Sequence, residues 1–383
     1  MYCNFRRLYF ANFFLFISIY MLFPVLPLAM ANQLDITITE AGYIFISMIA
    51  GRIVAGPFVN YLIDAFKRKY LCITALITVL VATIVYQVID NKEEAFFLSF
   101  IQGVAFGVIS SSLITISIDI TPSEYRNKAN IILGWSTRLG MFLGISIGSF
   151  FYLNTNLTYT VYGALFCGVI AILYLFLVNI PFRAPIGSGL LSLDRFLLPR
   201  GWVLIINMIM VAFVPGLLVP LIHFKAESLL MINGWKIPYF FVVILGFATS
   251  ILFKRFINKS NGKVAILSGL TLLVLSVSFF ILFNSILGLA ISGVLLGISL
   301  GLITPLFLMM FVELSSHCER ASANSTNLLS WGIGLAIGLC VSCYLKDNYS
   351  SLIVYQTAMF FASFALLYFV IFTYPYYLKK KVR

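Results

Sequence analysis

RNKANIILGWSTRLGMFLG, residues 126–144, returns 194 residues later as RASANSTNLLSWGIGLAIG, residues 320–338. This register sets Arg126 over Arg320, Ala129 over Ala323, Asn130 over Asn324, Ser136 over Ser330, Gly140 over Gly334 and Gly144 over Gly338. Any two glycine-rich apolar helices can coincide at glycines, but chance accounts poorly for matched Arg, Asn and Ser. The same offset sets Lys69 over Lys263, Gly103 over Gly297, Gly107 over Gly301, Asp119 over Glu313 and Asp64 over Asn258. A self-match at one long fixed period marks a repeated structural unit. The chain therefore reads as a tandem duplication.

The quoted stretch belongs to an apolar run long enough to cross a bilayer. Crossing takes about 20 residues, because the hydrocarbon core is about 30 Å thick and a helix rises about 1.5 Å per residue. Twelve such runs fill the chain, near 8–31, 40–62, 70–89, 95–118, 128–152, 158–180, 201–222, 236–253, 263–283, 285–312, 324–345 and 351–377. With 61% hydrophobic and 10% charged residues, no stretch remains for a soluble domain. The expected fold is an all-α integral membrane protein with twelve transmembrane helices in two six-helix halves. Residues 1–180 and 201–383 are the expected halves, and 181–200, with Pro181, Pro185, Gly187, Gly189 and Pro199, the linker. The first run follows Arg6 and Arg7 but is too long for a signal-peptide core and lacks a small-residue cleavage site, so it reads as a span.

Loop charge orients the chain. Of the 25 Lys and Arg, nineteen fall on the side of the N-terminus, four (Lys92, Lys225, Lys236 and Lys346) on the other, and Arg52 and Arg138 within spans. Basic loops stay cytoplasmic. Both termini are therefore expected in the cytoplasm of a cell inner (plasma) membrane, with Lys254, Arg255 and Lys259 in one of its loops. The net charge of +12 follows from this topology and an anionic inner leaflet, and gives no reason to expect nucleic acid. Cys340 and Cys343 form a C-x-x-C inside a span, where the spacing places two small side chains on one face. Neither they nor Cys318 imply a disulfide framework. With His223 and His317 as the only histidines, no metal site or cofactor is expected.

After the second span the chain reads GPFVNYLIDAFKRK, residues 56–69. A carboxylate that ends one helix beside cations that open the next can form a latch at the membrane surface. This order resembles the signature of the major facilitator superfamily, G-x-L-x-D-R-x-G-R-[RK], with Leu62, Asp64, Arg68 and Lys69 at matching positions. Asn60, Ala65 and Lys67 depart from it, and the second copy keeps only Asn258 and Lys263. Glu124 with Arg126, and Glu319 with Arg320, resemble an acid–Arg pair that recurs in the family. Gln102-Gly103 resembles part of R-x-x-Q-G-x-G of drug:proton antiporters, with Ser99 and Ala105 departing. Gly140, Gly144 and Gly148 resemble G-x-x-x-G-P-x-x-G, with Ile145 in place of Pro; glycines four apart also suit plain close packing of helices. The resemblance implies two halves that rock about a central cavity lined by spans one, four, seven and ten. Pro24, Pro27, Pro215 and Pro220 then either permit gating or only kink the helices.

Charge buried in a membrane is costly, so ionisable residues within spans point to function. Arg138 lies near mid-span and, at about 200° from Gly140 on a helical wheel, points away from the glycine strip. It is expected to meet an anionic group of a substrate, Arg52 being a second candidate; the alternative is that each caps carbonyls or reaches Asp64 or Asp119. Asn12, Gln102, Asn207 and Asn130 are candidate polar groups of the cavity. Asp64, Arg68, Lys69 and Asp119, with Gly140, Gly144 and Gly148, are the expected gating elements.

The expectation is a secondary active transporter of a small solute by alternating access, not an enzyme. Proton-coupled export of drug-like or anionic compounds is the leading form, and protons are a candidate coupling ion. An uptake symporter or facilitator for a sugar or organic anion is the alternative, and a membrane-embedded transferase a remote one. No nucleotide-binding G-x-x-x-x-G-K-[ST] loop is present, no cofactor is expected, and the expected state is a monomer in the lipid bilayer.

Overall fold

The computed structural model describes residues 2–381 apart from 182–186, 188, 225–230, 233–234, 253–261, 284 and 317–318. Arg183, Pro185, Lys225, Lys254, Arg255, Asn258, Lys259, His317, Cys318 and Arg383 lie outside the described residues. The rest is helix almost throughout: α1 Tyr2–Leu22, α2 Leu26–Leu34, α3 Ile38–Ala65, α4 Arg68–Val85, α5 Lys92–Ile120, α6 Arg126–Asn154 and α7 Leu157–Phe176. After the linker come α8 Trp202–Phe224, α9 Tyr239–Leu252, α10 Gly262–Leu282, α11 Ile286–Leu314, α12 Arg320–Asn348, α13 Ser351–Tyr368 and, beyond a π turn over Phe369–Thr373, α14 Tyr374–Lys380. A two-residue antiparallel hairpin, β1 Met231–Ile232 with β2 Trp235–Lys236, sits between α8 and α9.

Eleven of the expected spans are long and apolar enough to cross a membrane, and the remaining one, α9, is shorter among the described residues. The first span is broken: the chain leaves the helix over Phe23–Val25 and resumes as α2, because Pro24 has no N–H to continue the ladder. Pro215 and Pro220 lie inside α8, which continues through both.

The helix starts differ between the two faces of the bundle. On the face away from the linker, Thr37 and Glu40 form a capping box for α3, and Asn91, Asn156 and Ser285 accept backbone N–H bonds at the starts of α5, α7 and α11. These caps satisfy donors that a helix leaves open. On the linker face α4, α6 and α12 begin instead with Arg68, Arg126 and Arg320, with no acid in the first turn. A cation there opposes the helix dipole, so these arginines do not serve helix stability; Arg68 and Arg126 instead engage side-chain or carbonyl partners.

The duplication is visible as packing. α1 lies against α6 and α7, as α8 lies against α12 and α13; α3 and α4 pair with α5, as α9 and α10 pair with α11. Across the halves α3 meets α12 and α6 meets α9, again equivalent pairs. Large apolar side chains such as Phe97, Phe166, Leu245, Leu287 and Phe360 face outward. Water disfavours such a surface, whereas lipid solvates it.

Candidate functional site

Between the halves lies a cavity of about 50 Å³ lined by Asn12, Ser110, Asn130, Arg138, Thr304 and Asn327, with Phe16, Ile114, Leu308 and other apolar side chains completing its wall. That volume holds a few waters. Spans one, four, five, ten and eleven supply the lining; the expected seventh span, α8, supplies none among the described residues. The fifth and eleventh take part because they carry the halves' facing surfaces.

Arg138 is 5% exposed, and its Nη2 donates to Asn327 Oδ1 at 3.1 Å. Its guanidinium lies over the Trp331 ring, 4.1 Å from the centroid, an arrangement that fixes the plane of the fork. Trp331 is itself held by its indole N–H, which donates to the Met141 sulfur at 3.2 Å. Among the described residues, Nη1 of Arg138, Nδ2 of Asn327 and both amide atoms of Asn130 are buried without a protein partner. No ion pair reaches Arg138 among the described residues: it meets neither Asp64 nor Asp119. Asn327 and Trp331 were not singled out from the sequence, although Asn324 and Asn327 three apart in an apolar span are a polar signal that a reading of this kind can catch.

Of the other candidates, Asn12 sits in the same cavity but is committed, donating to Thr137 at 2.9 Å and Ser136 at 3.2 Å. Arg52, also buried, donates to Leu328 O at 3.3 Å and lies over the Phe106 ring. It lines a neighbouring space of about 30 Å³ together with Tyr20, Phe45 and Gln102. Gln102 accepts from the Tyr86 hydroxyl at 3.2 Å, which ties α5 to α4. Asn207 is placed apart, donating to Ala365 O at 3.1 Å on the far side of α8.

The duplicate positions explain why this site is not symmetric. Arg138 is matched in the second half by Gly332, and a Cβ there would come within 3.0 Å of Arg52 Nη1. Asn327 is matched in the first half by Leu133. The cation thus comes from one half and its amide partner from the other.

On the linker face Arg68 joins Asp119 directly and lies 4.0 Å from Asp64, while Lys69 donates to Phe176 O at 2.5 Å and Val178 O at 3.0 Å. Asp64 also meets Arg195 of the linker at 3.3 Å, a partner absent from the sequence reading. The linker does more than connect: Ser192 N–H donates to Pro57 O on α3, and the N–H groups of Arg195 and Leu198 donate to the Ser322 and Thr326 hydroxyls on α12. Arg195 takes a left-handed backbone, φ 62°, which turns its side chain toward Asp64 and the next residue inward. The buried Phe196 ring fills the space that a side chain at Gly56 would need. Nearby, the Ser316 N–H holds the Glu319 carboxyl below the usual carboxylate range, with Arg200 adding to the effect. Arg126 donates to Thr121 O at 3.3 Å and closes its own loop. In the second half Glu313, the match of Asp119, accepts from Tyr377 and lies 3.9 Å from Lys381, since Gly262 stands where Arg68 would be.

The opposite face is closed by Thr39, whose N–H and hydroxyl donate to Asp347 at 2.7 and 2.6 Å, and by Asn154 paired with the Lys236 backbone. Gly140, Gly144 and Gly148 lie where α6 meets α1: an added Cβ would fall 2.6, 2.6 and 1.9 Å from the carbonyl oxygens of Phe13, Ile17 and Met21. Gly334 and Gly338 do the same for α12 against Ile209 and Phe213 of α8. Both strips pack helices within one half.

The family described as Major Facilitator Superfamily matches residues 8–283. Quinolone resistance protein NorA of Staphylococcus aureus (strain MSSA476) is 25% identical over 213 residues, 55% of this chain and 54% of NorA. The chain thus spans about half the length of the curated relatives it matches. The human organic anion transporter MFSD10 superposes with a TM-score of 0.70 at 16% identity, over 96% of this chain and 98% of that one. The nucleoside transporter NupG gives 0.69 at 15%, over 96% and 100%. These two likenesses speak to the fold alone. With the family matched over most of its length, and eleven membrane-length spans and the shorter α9 paired as a duplicated bundle among the described residues, the chain belongs to the Major Facilitator Superfamily and is a multi-pass membrane protein.

Proposed function

We propose that the protein exports a small amphipathic solute, drug-like or anionic, across the plasma membrane by alternating access. Residues 1–180 and 201–383 are the moving halves, residues 181–200 the linker, and the linker face is cytoplasmic, a reading supported by the excess of basic residues on that side. The observation that carries this reading is the cavity between the halves, where Arg138 of one half holds Asn327 of the other and both keep unpartnered donors. Contacts at both faces close it, so opening either face in turn exposes the same polar groups. Asp64, Arg68, Lys69 and Asp119, with Arg195, latch the cytoplasmic face, and the α1–α6 glycine strip keeps the first half rigid as it moves. Export fits the name of the NorA relatives, and the chain works as a monomer.

The test is uptake and efflux in proteoliposomes across amphipathic drugs, sugars and organic anions, with and without a pH gradient. Protein-dependent movement of an amphipathic drug or anion is expected, with Arg138 variants altering it. Movement of sugars alone would overturn the substrate assignment, and movement of nothing would overturn the transporter reading for this chain.

A further inference from the structure

Among the described residues the cavity has a surplus of donors and no carboxylate counter-ion. Arg138 Nη1 and Asn327 Nδ2 are each buried without an acceptor. The amide of Asn327 cannot turn to serve itself, because its oxygen already accepts from Arg138 at 3.1 Å. Arg52 adds a second buried cation nearby. The thirteen Asp and Glu lie in loops or near the ends of spans, and among the described residues the cavity is lined by no Asp, Glu or His. A guanidinium stays protonated at any working pH, so no lining group offers to take up and release a proton.

We propose that the cargo is an organic monoanion on a small apolar body, and that it acts as the counter-ion of Arg138, so that the halves exchange one anion for another and do not return empty. The assignment rests on the transporter reading above and deepens it. An unpaired charge held in a water-poor site is costly, and a bound carboxylate or sulfonate removes most of that cost. Closing the cavity around Arg138 alone requires desolvating a bare cation, whereas closing it around an ion pair does not. The loaded carrier therefore crosses the closed state readily and the empty one slowly. Two parallel N–H groups from a fork held flat by Trp331, with the Asn327 amide beside it, suit a planar or tetrahedral oxyanion. Phe16, Ile114 and Leu308 receive the apolar body. Asn130, eight residues from Arg138 on α6 and about 12 Å along the helix, offers its unpartnered amide to a second polar group.

The test uses the full chain in proteoliposomes with three labelled probes of similar size: benzenesulfonate, neutral benzenesulfonamide and cationic benzyltrimethylammonium. Vesicles preloaded with benzenesulfonate are expected to take up labelled benzenesulfonate about tenfold faster than empty ones, and a pH gradient does not replace the preload. Asn327→Asp would place a carboxylate beside Arg138 as a built-in counter-ion. It is expected to lower exchange about tenfold or more while leaving the melting temperature unchanged or raised, which separates loss of the site from loss of the fold. Exchange of the cation or the neutral probe, accumulation into empty vesicles driven by a pH gradient, or wild-type exchange by Asn327→Asp overturns the anion assignment and leaves the transporter reading standing. Movement of none of the three removes the anion assignment; the transporter reading falls with it only when the wider panel is silent too.

Discussion

Arg138 has its position set by contacts from the other half of the chain: an amide accepts from one nitrogen and an indole covers its face. A lysine there keeps the charge but presents a single ammonium and loses the planar stacking. Arg138→Lys is therefore expected to weaken binding of the transported compound about tenfold, and Arg138→Gln about a hundredfold, corresponding to about 1.4 and about 3 kcal/mol. Ligand titration of purified variants with matched melting temperatures checks this. Unchanged affinity in Arg138→Gln removes the residue from the substrate site. The residue itself was legible as a lone buried charge. Its partner was not, because a bond 189 residues distant has no local period to announce it.

Between helices, backbone contact decides where a methyl group is tolerated. At Gly148 an added Cβ meets the Met21 carbonyl at 1.9 Å, and backbone cannot swing aside as a side chain can. Gly148→Ala is expected to lower stability by about 1–3 kcal/mol through overpacking of α1 on α6. Gly262→Ala, with nothing among the described residues within 4 Å of its Cβ, serves as the control and leaves the melting temperature where it is. Equal melting temperatures for the two would mean that α1 and α6 do not approach so closely. The last helix, α14, follows the same logic through polar contacts. Tyr377 donates to Glu313, so Tyr377→Phe is expected to loosen α14 by about 1 kcal/mol, read as faster hydrogen exchange confined to Tyr374–Lys380. Unchanged exchange there would mean that apolar packing alone seats this helix.

For the molecule as a whole, under the proposed alternating access, closure at the two faces sets which side the cavity opens to. Asp64 and Arg195 hold the linker face, and Thr39 and Asp347 the other. Removing a contact present only in the closed form shifts the population toward opening on that side. Asp64→Asn is expected to favour opening on the linker face and to slow transport with little change in binding; Thr39→Val is expected to favour the opposite opening. Paired distance measurements across each face check both, and shifts of the same sign in the two variants would contradict reciprocal gating. Orientation has its own test. A cysteine placed at Asp90 is expected to label from outside intact cells, and one at Leu190 only after permeabilisation; the reverse pattern would invert the topology.

The sequence by itself determined the number of spans, the duplication, the family and the lone buried arginines, because each follows from a local property: run length, a fixed offset, a short motif, or a charge where none is cheap. It also marked Asp64, Arg68 and Asp119 as a group, although Arg195 and the inward Phe196 joined them only in three dimensions. Tertiary structure alone decided that Asn327 and Trp331 face Arg138, that Asn207 sits apart on Ala365, and that the linker bonds to both halves. The Arg138 contacts form where the two six-helix halves meet, the Asn207 contact forms between two helices of one half, and in both cases the surfaces that meet are fixed by how the helices are rotated against one another. Helix rotation depends on the packing of all its neighbours at once, and no stretch of sequence carries that information alone.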